Sequence, residues 1–239
     1  MLSSTNLIEN LFSRVREIGR RVRHWQSGTM VLRWTAAGVL EAERGLDPER
    51  SLLVVIDGAR ALHKAVVEVF GSHALIQRCR EHKKRNVTEA LPERLRAAVR
   101  SAMSQAYARR DPRRARRLLG NLARRLEHQH PGAAASLREG LEETLTVMRL
   151  GLPEPLARVL SSTNLIENLF SRVREIGRRV RHWQSGTMVL RWAAAGVLEA
   201  ERGFRKLTGY RAMPSLVAAL RDHDPNGARP RVDETEKAA

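Results

Sequence analysis

The chain has a single cysteine, Cys79. This excludes an intrachain disulfide framework and fits a reducing compartment. No apolar run approaches the roughly 18 residues that a membrane helix needs. The opening residues, MLSSTNLIEN, lack a basic segment followed by an apolar one, so no secretory signal is read there. A cytoplasmic protein without a membrane partner is the expectation. Aromatic residues are only 4% of the chain, which speaks against a stacking platform for single-stranded nucleic acid. Acids are also outnumbered: 43 Lys and Arg against 26 Asp and Glu leave a formal charge of +17. An excess of that size attracts a polyanion, and nucleic acid is the first partner class to consider.

The main positive feature is a duplication. Residues 2–45 and 160–203 are one sequence written twice, differing only at Thr35 and Ala193. Architectural repeats share a pattern rather than a verbatim text, and they run in arrays of three or more. This pair therefore reads as a recent duplication or a rearranged gene, with a joint at Arg44-Gly45. Within the first copy, Leu11, Val15, Ile18 and Val22 recur at helical spacing. Gln26-Ser27-Gly28 signals a turn, and a second helix follows to about Arg44.

Between the copies the character changes. Leu52–Ile56 is a continuous apolar run that reads as a buried strand. A helix with Leu62, Val66 and Phe70 on one side follows, stopped by Gly71, and His73–Arg78 reads as a second strand. Strand, helix and strand at this spacing predict a parallel βαβ unit. Asp57 then lies at the carboxyl end of its strand, where α/β sheets place ligands. An Asp-Gly turn is an equally good reading of Asp57-Gly58.

Residues 83–158 carry no further strand signal. Helices are predicted from Pro92, from Asp111 as cap with Pro112 at the first position, and from Pro131. From Arg94 to Arg125 there are 11 arginines and one acid. Arg113, Arg114, Arg116 and Arg117 on this stretch form either a solvated face or a surface for the DNA backbone. Cys79-Arg80-Glu81-His82 is too sparse for a structural zinc site, which needs four ligands. A small buried Cys and a surface or hydrogen-bonded His is the plainer reading. In Ser162-Thr163-Asn164-Leu165-Ile166-Glu167, Asn164 can cap a helix with Glu167 at the capping-box position. A metal-binding role for Glu167 fits the same spacing. Met213–Leu220 is a short amphipathic piece, and the polar end from Asp222 reads as disordered.

Taken together, the strand ending in Asp57-Gly58, the Cys79-x-x-His82 pair and Thr163-Asn164-x-Ile166-Glu167-x-Leu169 resemble the bacterial insertion-sequence transposases of the Mutator type. The resemblance covers roughly residues 46–221. It implies an α/β, RNase H-like core of which this chain holds a parallel βαβ part, with a large helical insertion, mostly α-helical overall. By position Asp57 resembles the second Asp of a three-carboxylate (DDE) site and Glu167 its Glu, both ligands for Mg²⁺ or Mn²⁺. Cys79 and His82 take supporting roles. Arg172, Arg174, Arg178 and Arg179, after Glu167, are candidates for holding the DNA backbone.

The domain organisation that follows is a displaced duplicate at 1–45, a partial core at 46–90, a helical insertion at 91–158, the Glu-bearing and C-terminal helices at 159–221, and a tail at 222–239. One departure stands out. Before Asp57 the only aspartate is Asp47, with no apolar strand ahead of it, so the first catalytic Asp is missing. Glu9, the duplicate of Glu167, lies on a helix and cannot replace it. The duplicate copy either docks loosely or exchanges with its twin in a homodimer. The resemblance thus implies a transposase-derived, nucleoid-associated protein acting on double-stranded DNA at element ends and target, with an incomplete site. The alternative is a DNA-binding or dimerising fragment without catalysis.

Overall fold

Leu52–Ile56 forms β1 and Ala74–Arg78 forms β2, paired in parallel with Leu52 opposite Ala74 and Ile56 opposite Arg78. A computed structural model describes residues 51–178, 180, 186–202 and 207–223. The helix α1 (Arg60–Phe70) crosses between the strands, as the spacing predicts. The second strand starts one residue later than expected. A 3-10 turn at Gly71–His73 takes up the chain after the positive φ of Gly71, so His73 lies outside the ladder.

The next helix, α2 (Arg80–Glu89), has no counterpart in the sequence reading. Its residues are almost all polar, and its buried side includes Lys83, Val87 and Thr88. After it come α3 (Glu93–Tyr107), α4 (Pro112–Leu126) and α5 (Pro131–Arg138), starting where Pro92, Asp111-Pro112 and Pro131 predict. The start of α4 shows why. Asp111 has extended backbone, its carboxylate accepts from the Arg113 N–H at 2.8 Å, and Pro112 supplies a preset φ where no donor is needed. Ala115, Leu119, Leu122 and Leu126 turn inward at steps of three and four, against Met103 of α3 and Leu137 of α5. The arginines are left on the opposite face.

Two short helices, α6 (Thr146–Arg149) and α7 (Glu154–Leu160), carry the chain back towards the sheet. Beyond them, α8 (Asn164–Gly177) and α9 (Gly186–Glu201) pack on each other, and α10 (Met213–Asp222) follows. Leu169, Val173 and Ile176, the second-copy equivalents of Leu11, Val15 and Ile18, form the half-buried side of α8. A Cβ on Gly196 of α9 would lie 2.9 Å from Val173 Cα, so glycine permits this approach. The helix α8 begins at Asn164 rather than after it. Glu167 is therefore its fourth residue.

The described residues form two compact units, 51–163 with 207–223 and 164–202. The architecture is mostly helical with one two-stranded parallel sheet among the described residues. No helix among them is long and apolar enough to cross a membrane. The first repeat copy with Glu9, and Asp47, Arg179 and the tail from 224, lie outside the described residues.

Candidate functional site

Parallel pairing brings the carboxyl ends of both strands to one edge. Asp57 leaves β1 there with an exposed side chain, and Gly58 takes φ +102 to turn the chain into α1. Asp57 Oδ1 accepts from the Ala59 N–H at 2.9 Å. The two readings of Asp57 are thus compatible: one oxygen shapes the turn, and the other remains at the strand tip for a further partner.

Cys79 continues the ladder one residue past β2, its N–H donating to Ile56 O at 2.7 Å. Its thiol is wholly buried, and Sγ accepts from the Thr163 N–H at 3.4 Å. His82, in the first turn of α2, stands with Nδ1 3.3 Å from Thr163 Oγ1, the donor being set by the imidazole tautomer. Arg80 N–H donates to Ser161 O at 3.0 Å. The Cys-x-x-His segment therefore anchors residues 161–163 beside the strand tips. Four residues past Thr163, exposed on α8 in the other unit, comes Glu167. The structure thus brings Asp57, Cys79 and His82 to one edge and places Glu167 on the first turns of α8.

Beneath this edge lies a buried polar network absent from the sequence reading. Gln77, fully buried, donates to Arg78 O and Thr144 O and accepts from the Val147 N–H at 2.8 Å. Arg78 is 7% exposed and donates to Glu139 O at 3.2 Å. Its Nε is 3.1 Å from Glu143 Oε2, an ion pair in which the N–H is not aimed at the oxygen. Glu143 also meets His63 Nε2 at 2.8 Å. Lys83, 3% exposed, donates to Ser136 O at 2.7 Å and Glu139 O at 2.5 Å.

Burial, followed by the charge of Arg78, lowers the Lys83 ammonium to about 8, against the pull of Glu139 and Glu143. Burial pushes Glu139 up, but the hydrogen bond and charge of Arg78, aided by Lys83 and Arg60, hold it below its ordinary value. Desolvation lowers Arg80, whose guanidinium lies 5.0 Å above the Tyr107 ring, and raises the Tyr107 phenol. The visible signal for this network was a Gln-Arg pair closing an otherwise apolar strand.

On α4, Arg113, Arg114, Arg116 and Arg117 are all exposed. Arg116 pairs with Glu142. Helical geometry puts Arg113, Arg117 and Arg124 in one stripe opposite the core, with Arg114 and Arg125 beside it. Arg172, Arg174 and Arg178 are exposed on and just after α8.

A family model described as "Transposase, Mutator family" matches residues 34–206, most of the chain. The chain belongs to the Mutator family of transposases. The transposase for insertion sequence element ISRM5 of Rhizobium meliloti (strain 1021) is 29% identical over 164 residues, 69% of this chain and 40% of that protein. The transposase for insertion sequence element IST2 of Acidithiobacillus ferrooxidans is 26% identical over 159 residues, 66% of this chain and 52% of that protein. The chain thus spans about half the length or less of these two relatives. No solved structure matches it. The matched segment contains all three motifs, at Asp57, Cys79–His82 and Thr163–Leu169.

Proposed function

We propose that this chain serves metal-dependent cleavage and transfer of DNA strands at the ends of an insertion element, with an incomplete set of catalytic carboxylates. The observation that carries this reading is the exposed Asp57 carboxylate at the carboxyl end of β1, on the same sheet edge as the Cys79 backbone that bonds Ile56, in a chain of the Mutator family. The βαβ unit within 46–90 is then part of an RNase H-like core. Residues 91–158 are its helical insertion, and 159–221 bring the helix that carries Glu167.

Asp57 and Glu167 are the residues that would hold a divalent ion. The donor chemistry fits, because Mg²⁺ and Mn²⁺ prefer carboxylate oxygen. Cys79 Sγ is buried and already accepts a protein N–H, which suits a supporting role better than ligation. Bound divalent ions in such sites activate the attacking oxygen and stabilise the leaving one. The chain's own residues hold the turn at Asp57, anchor the 161–163 segment through Cys79 and His82, and grip phosphates with arginine. The third carboxylate is not assigned to a residue of this chain. A protein acting on chromosomal DNA in this way works in the cytoplasm, at the nucleoid.

The test is a nicking assay on duplex carrying the element ends, with Mn²⁺ or Mg²⁺. Weak divalent-dependent nicking is expected, together with its loss in Asp57→Asn. Equal nicking by Asp57→Asn would sink the assignment. Binding with no nicking at all would favour the second reading, a DNA-binding or dimerising fragment. The arginine stripe on α4 favours that reading, since it needs no metal site.

Both readings share one expectation. If Arg113 and Arg117 each neutralise a phosphate, Arg113→Ala/Arg117→Ala should reduce the slope of log affinity against log salt by roughly 2, at about 0.9 per contact. An unchanged slope in a fluorescence-anisotropy titration would place the DNA elsewhere.

A further inference from the structure

We infer that Arg78 is a positioning residue for the Asp57 carboxylate, acting as a buried strut between the strand tip and the turn at Glu139–Glu143. The inference rests on reading Asp57 as a metal ligand, and it assigns a new role to a side chain that touches neither metal nor DNA.

Register provides the first observation. Arg78 is the last residue of β2 and lies opposite Ile56, the residue before Asp57. Its guanidinium turns back under the Asp57-Gly58 turn. A Cβ at Gly58 would lie 3.5 Å from Arg78 Nε and 3.6 Å from Cζ. On its other side a Cβ at Gly140 would lie 2.7 Å from Nε, Cζ and Nη1. The planar group therefore occupies a slot walled by two glycines, both with positive φ.

Charge and burial hold it there. Arg78 meets the Glu139 carboxylate at 3.5 Å and the Glu143 carboxylate at 3.1 Å, and it donates to Glu139 O at 3.2 Å. A guanidinium this buried cannot swing out without abandoning two carboxylates in a desolvated site. Three points thereby lie around one buried group: the end of β2, the turn at Gly58 and the 139–143 turn. Among the described residues Asp57 has no comparable brace of its own. Its side chain is exposed and accepts a hydrogen bond from the Ala59 N–H in the same turn. Rigidity at the carboxylate must come from the backbone beneath it, and the Arg78 guanidinium lies where a Cβ on Gly58 would just reach it. Groups that hold a ligand carboxylate in place affect metal affinity nearly as the ligands do.

The experiment compares full-length wild type, Arg78→Lys, Arg78→Met and Asp57→Asn. It uses Mn²⁺ alone as the probe, with thermal midpoint and amide exchange at Ala59 measured alongside. Arg78→Lys keeps the charge for Glu139 and Glu143 but cannot fill a planar slot. It should fold with a midpoint near wild type, bind Mn²⁺ about tenfold more weakly, and exchange the Ala59 amide faster. Arg78→Met, measured below its own midpoint, should show the same loss or a larger one. Wild-type Mn²⁺ affinity in folded Arg78→Lys would overturn the inference, as would unchanged exchange at Ala59. If wild type and Asp57→Asn bind Mn²⁺ alike, the metal assignment of Asp57 falls, and Ala59 exchange alone then decides whether Arg78 positions the turn.

Discussion

Gly140→Ala is expected to destabilise the 51–163 unit by about 3 kcal/mol, with two causes that add. Gly140 sits at φ +59, where an alanine costs about 1–2 kcal/mol relative to glycine. The new methyl would also lie 2.7 Å from the Arg78 guanidinium, too close for any non-bonded contact. An exposed arginine would move away. This one is 7% exposed and held by Glu139 and Glu143, so displacing it leaves buried charges without partners, at a cost of at least another 1–2 kcal/mol. Urea unfolding measures the sum. A loss below about 1 kcal/mol, the strain contribution alone, would mean that the slot around Arg78 is loose. Gly120 is the control. It lies within α4 and has nothing within 4 Å of an added Cβ, so Gly120→Ala should be neutral or stabilising through helix propensity.

The second large effect concerns Lys83 and depends on pH. Lys83→Met removes the donor to Ser136 O and Glu139 O and takes a positive charge from between Glu139 and Glu143. Leaving these groups unsatisfied should cost about 2 kcal/mol at pH 7. The cost should then grow with alkalinity. The Lys83 ammonium falls from an ordinary 10.5 to about 8 in the folded chain. Between those values the unfolded chain carries the extra proton, so the stability of the wild type rises with pH across this window. The penalty for burying the charge is present in full below pH 8 and is relieved above it. A neutral amine still has two hydrogens, one for each carbonyl. From pH 7 to 10 the wild type should therefore gain about 2 kcal/mol relative to Lys83→Met. Denaturant titrations of both proteins across that range give the difference directly, and parallel pH profiles would refute the burial argument.

These two residues mark the limit of what could be read along the chain. The apolar run at Leu52–Ile56, the cap at Asp111 with Pro112, and the turn into α5 at Pro131 all had local signatures, and each element starts within a residue or two of its prediction. So did the Asp57-Gly58 turn and the amphipathic side of α8. The helix α2 had none. Arg80–Glu89 offers only Val87 as a sizeable apolar residue, and a lysine shares its buried face, so no period of apolar positions could announce it. Glu167 was legible as a carboxylate near a helix start, and it lies in the first turns of α8. Nothing in the first repeat copy could be compared, since it lies outside the described residues.

The amino-acid sequence by itself determined the strand that ends at Asp57, the starts of α3, α4 and α5, the basic face of α4 and the motifs of the Mutator family. Caps, turns and helical periods act over a few residues, and family motifs are strings of residue types, so both are written locally. Only the tertiary structure decided that Gln77, Arg78 and Lys83 are buried. Their partners at Ser136, Glu139, Glu143, Thr144 and Val147 lie 53 to 70 residues away. A buried cation or amide is stable only where distant carbonyls and carboxylates converge on it, and no local pattern records that convergence.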